Sequence, residues 1–440
     1  MTLEAGPAPA TWTALRRSPA VVRLTGAVAV SEVGSQVTLL ALPLLALLQL
    51  DAGAGVVGLL TAAAYAPWLL LALPAGAVVD GWSPRRQRRA LVASDLGRAA
   101  PLVALPVLYA AGVLTVPVLL LLVLLVGSVT VLAEITEGAL VPGVVERTLL
   151  GHVNGTLEAA RALAMVAGPA LAGALVAAVG AARSVLVDAL SFLVSAALLA
   201  RLPVPDRQPA SPASPVSTAP AGTGGAHRHV TAMVREGAGV LRRDPALSRL
   251  CLWSTTSNLT GNALTPVVLT LVVRDAGLSP GLLGAALAIA SVGGVAGALV
   301  SGPLASRAGH GRFVAGSALV LGAGILAVGA LGLVVPLPHG IALAGWLAAA
   351  YGVTLAANVA GNAQVATIRQ HLVPEGQLAR VIATWRTLGY AGIPVGAALG
   401  GVLADVVGLR PVVVGSAVAF ALTCLIPLGT PVRRLRLAPG

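Results

Sequence analysis

The sequence predicts an all-α integral membrane protein: twelve transmembrane helices arranged as two pseudo-symmetric six-helix bundles. Three observations carry that prediction. Of 440 residues, 57% are hydrophobic and only 10% charged, too little polar surface to clothe a soluble globule of this size. The apolar residues also come in long runs, such as VPVLLLLVLLV from Val116 to Val126, which lack the polar alternation of a membrane β-barrel strand. Finally, the second half of the chain repeats the first at its rare polar positions.

A bilayer core asks for about 20 mostly apolar residues per helical span, and lipid-facing irregular backbone is excluded by its unsatisfied polar groups. The first set of runs lies near 21–49, 55–79, 90–111, 115–139, 155–180 and 183–200. The second lies near 247–273, 281–305, 313–335, 340–363, 381–404 and 410–429. The opening run is too long for the apolar stretch of a cleaved signal peptide and ends without an A-x-A site, so it is expected to stay as a membrane helix. The chain then divides into an N-terminal bundle over 1–201, a linker over 202–245 and a C-terminal bundle with a short tail over 246–440. Residues 203–226 are rich in Pro, Ala, Ser, Thr and Gly, a composition that buries no core. His229 to Arg243 mixes apolar and charged residues and suits a short helix at the membrane surface.

All 28 basic residues are arginine, and the net charge is +12. They sit in the connections between apolar runs, not on one basic face between aromatics, so no nucleic-acid partner is implied. If the spans alternate, Arg16, Arg17, Arg85, Arg86, Arg88, Arg89, Arg147, Arg307, Arg312, Arg369, Arg380, Arg433, Arg434 and Arg436 fall on one side. Only Arg183, Arg274 and Arg410 fall on the other. The positive-inside rule makes the rich side cytoplasmic, with both termini inside and the protein multi-pass in the plasma (inner) membrane.

At a shift of 226 residues Glu32 superposes on Asn258 and Gln36 on Asn262. At 225, Glu137 superposes on Asn362, Arg161 on Arg386 and Pro169 on Pro394. A six-plus-six duplication accounts for these coincidences. Glu32 stands out because about 11 residues at 1.5 Å each carry it from the start of its span to mid-membrane. Burial there disfavours its ionised form, which suits a group that takes a proton from one side and releases it to the other; a structural hydrogen bond from a neutral Glu is the alternative. Gln36 lies one turn on, and with Asn258, Asn262, Asn362 and Arg386 it is a candidate for contacting a small-molecule substrate in a central cavity; Arg386 is either a contact for an anionic substrate or the structural charge that matches Arg161. Glu134, Glu137, Glu158 and Arg161 are expected to pair between helices, Asp95 with Arg98 within one, and Asp188 to lie at the interface. Trp253, Trp346, Tyr351, Trp385 and Tyr390 are the aromatic candidates for stacking on cargo or for anchoring at the interface.

Other chemistry finds no support. A chain without lysine cannot contain the G-x-x-x-x-G-K-[ST] phosphate loop of an ATP-driven pump, and neither H-E-x-x-H nor G-x-S-x-G occurs. The six histidines offer no clustered metal set, Cys251 and Cys424 read as core packing, and no cofactor is implied.

The loop GAVVDGWSPRR, from Gly76 through Asp80 to Arg85 and Arg86, resembles the G-x-x-x-D-R-x-G-R-R loop of the major facilitator superfamily. GPLASRAGHGR, with Gly302, Arg307 and Arg312, is its pseudo-repeat, carrying Ser306 in place of the acid. AGPALAGALV, with Gly168, Pro169 and Gly173, is similar to the G-P-x-x-G-G signature of antiporter members, and Pro394 and Gly396 occupy the corresponding stretch of the second half. The resemblance extends over SEVGSQVTLLALPLLAL (Ser31 to Leu47), VDALSFLVSAALL (Val187 to Leu199) and RVIATWRTLGYAGIPVGAALGG (Arg380 to Gly401). It implies a secondary active transporter, expected to work as a monomer among membrane lipid and to export small amphipathic molecules against protons by alternating access. In that scheme the arginine loops bind lipid headgroups and latch the cytoplasmic side, while the Gly-Pro helices hinge and seal the halves. An uptake carrier, or a receptor or scaffold with the same fold, are the alternatives the residues leave open.

Overall fold

The computed structural model describes residues 18–145, 149–204, 236–374 and 377–435. Twelve long helices form the two bundles. The first comprises α1 (Pro19–Gln49), α2 (Ala54–Val79), α3 (Pro84–Ala110), α4 (Val116–Val144), α5 (Leu150–Val179) and α6 (Ala181–Ala200). The second comprises α7 (Pro245–Thr270, continued by a π-helical turn Leu271–Asp275), α8 (Pro280–Ala308), α9 (His310–Gly329), α10 (Gly340–Leu372), α11 (Leu378–Val407) and α12 (Leu409–Thr423). Most of the linker, 205–235, and the arginines at 16, 17, 147 and 436 lie outside the described residues.

Local sequence explains where the helices begin. Four of them open on a capping side chain followed by proline: Ser18-Pro19, Ser83-Pro84, Asp244-Pro245 and Ser279-Pro280. The Asp244 carboxylate accepts from the amides of Ala246 at 2.8 Å and Leu247 at 2.9 Å. The side chain satisfies orphan donors of the first turn, and proline supplies a preset φ where no amide is needed. Single glycines at positive φ, Gly180 (+83°) and Gly408 (+96°), turn the chain sharply at corresponding places in the two halves, between α5 and α6 and between α11 and α12. A side chain there would be strained.

Eleven described helices are long and apolar enough to cross a membrane. The twelfth is α7, whose segment Ser254 to Asn262 is mostly polar. Its hydroxyls bond back along the helix, Thr255 to the Cys251 carbonyl at 3.0 Å and Thr260 to that of Thr256 at 2.8 Å, so few donors are left bare. Helices extend beyond the sequence-read spans mainly where arginine continues the helix out of the apolar layer, as at Pro84 to Arg89 and Arg369 to Leu372. Of the predicted surface helix, residues 236–243 are described and helical. That segment lies against α11, with Leu241 buried and Glu236 paired to Arg380 at 2.7 Å.

Packing inside each bundle follows the duplication. In the first, α1 packs on α5 and α6, α2 on α4, and α3 on α4 and α6; in the second, α7 packs on α11 and α12, α8 on α10, and α9 on α10 and α12. Small residues make the approaches possible. Gly392, Gly396 and Gly400, one turn apart on α11, lie against the carbonyls of Thr255, Leu259 and Ala263 of α7, leaving no room for a Cβ. The halves meet along α2–α11 and α5–α8, again a symmetric pair. There a Cβ on Gly173 would lie 2.5 Å from the Pro280 carbonyl and 2.7 Å from the Gly284 Cα, and one on Gly401 would lie 2.5 Å from the Ala54 carbonyl. The large exposed side chains, such as Leu299, Val406 and Ile341, lie on the outer faces and suit contact with lipid.

These contacts predict that Gly173→Leu forces the halves apart at the α5–α8 seam, because overpacking costs roughly 1–3 kcal/mol. With Asp51→Cys and Arg274→Cys placed across the same end, thiol cross-linking should fall severalfold when Gly173→Leu is added; an unchanged yield would show that the seam does not hold that end closed.

Candidate functional site

Between the bundles lies a cavity of about 360 Å³. α1 contributes Gln36, Leu40 and Pro43; α2 contributes Thr61 and Tyr65; α5 contributes Pro169. From the other half come Asn262, Thr265 and Pro266 of α7, Leu283 and Leu287 of α8, and Leu347 and Tyr351 of α10. The lining is mostly apolar with a few amides, hydroxyls and phenols, the character of a site for a small amphipathic molecule. Gln36 is held at its position because Gly168 leaves space for its Cβ. Asn262 donates to the Asn258 carbonyl at 2.8 Å, keeping its amide oxygen available.

The predicted cavity residues separate, and Arg386 is not in the lining. Gln36 and Asn262 line the cavity. Asn258 donates to the Gly389 carbonyl at 3.2 Å and thereby ties α7 to α11. Asn362 donates to Asn358 within α10 at 2.6 Å and lines no part of the cavity. Glu32 departs furthest from expectation. It does not line the central cavity with Gln36; it turns into the N-terminal bundle, where its carboxylate meets Arg161 of α5 at 3.3 Å. A 100° step per residue separates Glu32 from Gln36 by about 40° around the helix, enough to send the first carboxylate into the bundle interior and leave the second side chain on the cavity wall, although both face α5.

Arg161 is the hub of that cluster. It pairs with Glu137 of α4 at 2.7 Å and with Glu158 of its own helix at 2.7 Å, besides Glu32. A small internal pocket joins Glu32 to Glu134, Glu137, Asp95, Arg98 and Ser35. Arg98 bonds Asp95 and stacks over the Phe192 ring at 4.0 Å. Asp188, expected at the interface, is 2% exposed instead, within hydrogen-bond reach of Ser191 at 3.2 Å and Ser35 at 3.5 Å. It lies a third of the way along α6 on the face turned toward α1, where Gly34 leaves it space. Helices α1–α6 thus carry six carboxylates, whereas α7–α12 carry Asp405 and, at the end of the π-helical turn that continues α7, Asp275.

Asp405 belongs to a third feature. At the end of the molecule opposite the chain termini, both of its oxygens accept from the Gly55 amide at 3.2 Å. Gly53, the N-cap of α2, has no side chain of its own to do this. A carboxylate of the second bundle therefore caps a helix of the first, where the helix dipole favours it. Beside it Arg274 pairs with Asp51 at 2.6 Å and donates to the Ala52 carbonyl at 3.0 Å. This end is closed. Sequence reading passed over Asp405, although an isolated acid at the end of an apolar run was a visible signal.

At the terminus-bearing end, Asp80 closes α2 and Ser83 caps α3, so the Ser-Pro step that separates the basic pair from Asp80 is the start of the next helix. Arg86 stacks on Trp82 at 4.7 Å. Apart from their own helix backbone, Gly76 and Gly302 have no described atom within 4 Å of the place a Cβ would take. Arg307 and Arg312 are exposed, one in the last turn of α8 and the other in the first turn of α9. Of the Gly-Pro residues, Gly173 makes a contact between halves, Gly168 packs within the first bundle, and Gly396 packs within the second. Pro394 lies inside the continuous α11, between Gly392 and Gly396. The aromatic pair Trp68 and Tyr390, centroids 5.5 Å apart and edge to face, bridges α2 and α11.

Two overlapping stretches, residues 24–397 and 251–437, match the Major Facilitator Superfamily. The multidrug efflux pump Tap of Mycobacterium tuberculosis (strain ATCC 25618 / H37Rv) is 28% identical over 432 residues, 96% of each chain. Among solved structures, a bacterial homologue of the iron transporter ferroportin in the inward-facing state superposes with a TM-score of 0.70 at 17% identity, covering 93% of this chain and 97% of that one. A bacterial homologue of the human lysosomal transporter Spinster, inward-facing and unoccupied, also gives 0.70, at 15% identity over 96% and 99%. Twelve helices in two matched bundles, an interface cavity and a family match along nearly the whole chain lead to one conclusion: this protein belongs to the Major Facilitator Superfamily, as a membrane transporter of small molecules and not an enzyme.

Proposed function

We propose that the protein is a proton-coupled exporter, an antiporter that moves small amphipathic molecules out of the cell by alternating access. The observation that carries this reading is the division of labour between cavity and cluster. The cavity is shared by both halves and mostly apolar; beside it, in one half only, carboxylates share the Arg161 guanidinium. Four carboxylates around one guanidinium, Glu134 included, leave an excess of negative charge that a bound proton reduces. Protonating Glu32 weakens its hold on Arg161, and Glu32 and the cavity-lining Gln36 are neighbours on one helix. A proton on Glu32 is thereby linked to the shape of the cavity wall and to the seating of α1 against α5. The similarity to a named multidrug efflux pump supports export, and a cavity completed within one chain supports action as a monomer.

The arginine-rich, terminus-bearing end is cytoplasmic in this reading, and the membrane is the plasma (inner) membrane. The state described is then inward-facing, sealed outside by the glycine seams, Asp405 and the Asp51–Arg274 pair. The latch is assigned to Gly76, Asp80, Arg85 and Arg86 with Gly302, Arg307 and Arg312, engaged in the opposite state. The empty space beside Gly76 and Gly302 supports it, since glycines with no neighbour are positioned for an approach made elsewhere in the cycle.

Deleting the gene should lower the tolerated concentration of several members of a panel of anionic, zwitterionic, neutral and cationic amphipathic compounds. A proton uncoupler should erase the difference between strains; unchanged susceptibility across the panel would end the export reading. In proteoliposomes with an imposed pH gradient, Glu32→Gln should cut proton-driven transport at least about tenfold while exchange without a gradient persists, as expected for a membrane carboxylate that carries the proton. Full proton-driven transport by Glu32→Gln would remove the coupling role.

A further inference from the structure

The duplication that places Arg161 in α5 places Arg386 in α11, but the surroundings of the two differ. Each carboxylate that holds Arg161 has an uncharged counterpart in the second half: Asn258 for Glu32, Asn362 for Glu137 and, at the same shift, Ala383 for Glu158. Among the described residues Arg386 has neither a hydrogen bond nor an ion pair, and it is exposed. Its direction follows from helix geometry. Tyr390, Ala397 and Gly401, at 4, 11 and 15 residues further along, fall within about 60° of it around α11. All three meet α2 of the other half: Tyr390 at Trp68, Ala397 at Gly58 and Gly401 at Ala54. Arg386 therefore looks into the space between the halves, one turn from Tyr390 on its terminus-bearing side.

A second cation stands beside it. Arg369 of α10 lies over the face of Trp385, 5.1 Å from the ring centroid, and Trp385 is fixed in turn by its indole donating to the Ser254 hydroxyl at 3.3 Å. The Nε of Arg369 is buried without a hydrogen-bond partner. Arg386 is close enough for the two positive charges to repel. Two like charges beside each other at the terminus-bearing end of the space between the halves, with no ion pair to a carboxylate among the described residues and a buried donor unsatisfied, form an arrangement that an anion stabilises. The flat guanidinium on an aromatic ring is preorganised for a planar carboxylate or for phosphate oxygens.

We infer that Arg369, Arg386 and Trp385 form an anion-binding subsite, which takes the carboxylate or phosphate of an amphipathic cargo while its apolar body is directed toward the central cavity. This rests on the reading of the space between the halves as the cargo path. It makes the two halves unlike in charge: a cluster with excess carboxylate in the first half and uncompensated guanidinium in the second.

The probe is 2-naphthoate, with 2-naphthamide as its neutral isostere, titrated calorimetrically into the purified full-length protein in phosphatidylcholine nanodiscs. Wild type should bind the naphthoate at least about tenfold more tightly than the amide, the scale of one charge-assisted contact. Arg386→Gln and Arg369→Gln should each remove that preference, Arg386→Lys should keep part of it, and amide binding should stay level in all three. Equal binding of the two probes by wild type, or naphthoate binding indifferent to both Gln variants, would overturn the subsite. Adding phosphatidylglycerol to the nanodiscs separates the sources of the anion. No competition supports a cargo site, whereas loss of naphthoate binding assigns the arginines to a lipid headgroup and overturns it. In cells, Arg386→Gln should forfeit tolerance to the carboxylate-bearing members of the panel and keep it for the neutral ones. Retained tolerance to every member would defeat the subsite and leave export standing, whereas a deletion strain with no altered tolerance would defeat export itself.

Discussion

In lipid, helices gain nothing by hiding apolar side chains from one another, so this protein depends on how closely one backbone can approach the next. Every principal seam uses that constraint. α7 and α11 meet through three glycines one turn apart, α8 and α10 through Gly293 and Gly297, α2 and α11 through Gly58 and Gly401, and α5 and α8 through Gly173 and Gly284. Such contacts are stiff against added volume and weak against separation, because little beyond dispersion holds them. Within a bundle they are multiplied along whole helices. Between bundles they are confined to two helix pairs, related by the internal symmetry. A rigid half and a separable seam thus come from one chemistry applied at different extent.

The charges break the symmetry that the packing keeps. A membrane carboxylate is costly unless paired, and the first half meets that cost with Arg161 and Arg98, each touching acids from its own or neighbouring helices. Where the first half has Glu32, Glu137 and Arg161, the second has Asn258, Asn362 and Arg386. Amides satisfy themselves locally, Asn258 on Gly389 and Asn362 on Asn358, and need no cation. Among the described residues, Arg386 has no acid paired to it as Arg161 does.

Much of this was legible in the sequence, and the limits are physical. Apolar runs located eleven helices and the apolar flanks of α7 on either side of its polar middle, because lipid imposes its length on them; their ends slipped where arginine-rich turns such as Pro84 to Arg89 stay helical beyond the apolar layer. The repeat picked out Glu32, Arg161, Asn258 and Arg386 as rare polar residues within the spans. It did not say which way they face. Glu32 and Gln36 share a helical stripe at the resolution of periodicity, yet one serves the bundle interior and the other the cavity. Asp188 read as interfacial from its nearness to a helix end, and the Gly34 gap that admits it belongs to another helix 154 positions away. Asp405 went unread for the same reason: its partner is a backbone amide in the other half, and no pattern along one chain segment announces a cap delivered from elsewhere.

The closed end shows how such a seam is made both specific and releasable. The Asp51–Arg274 pair is solvent-exposed, with Asp51 88% accessible, so it contributes little energy and mainly fixes register. Asp405 is a better hold because it answers an uncapped helix N-terminus, but water can take either role as soon as the end opens: the amide of Gly55 and the carboxylate both hydrate well. Neither contact leaves an unsatisfied buried group when broken. That is the property alternating access requires of a gate, and it contrasts with the Arg161 cluster, whose separation would strand carboxylates inside the bundle. The asymmetry ranks the two polar systems: the gate is the part that comes apart in the proposed cycle, and the Arg161 cluster is the part whose internal pairing shifts while its helices stay together.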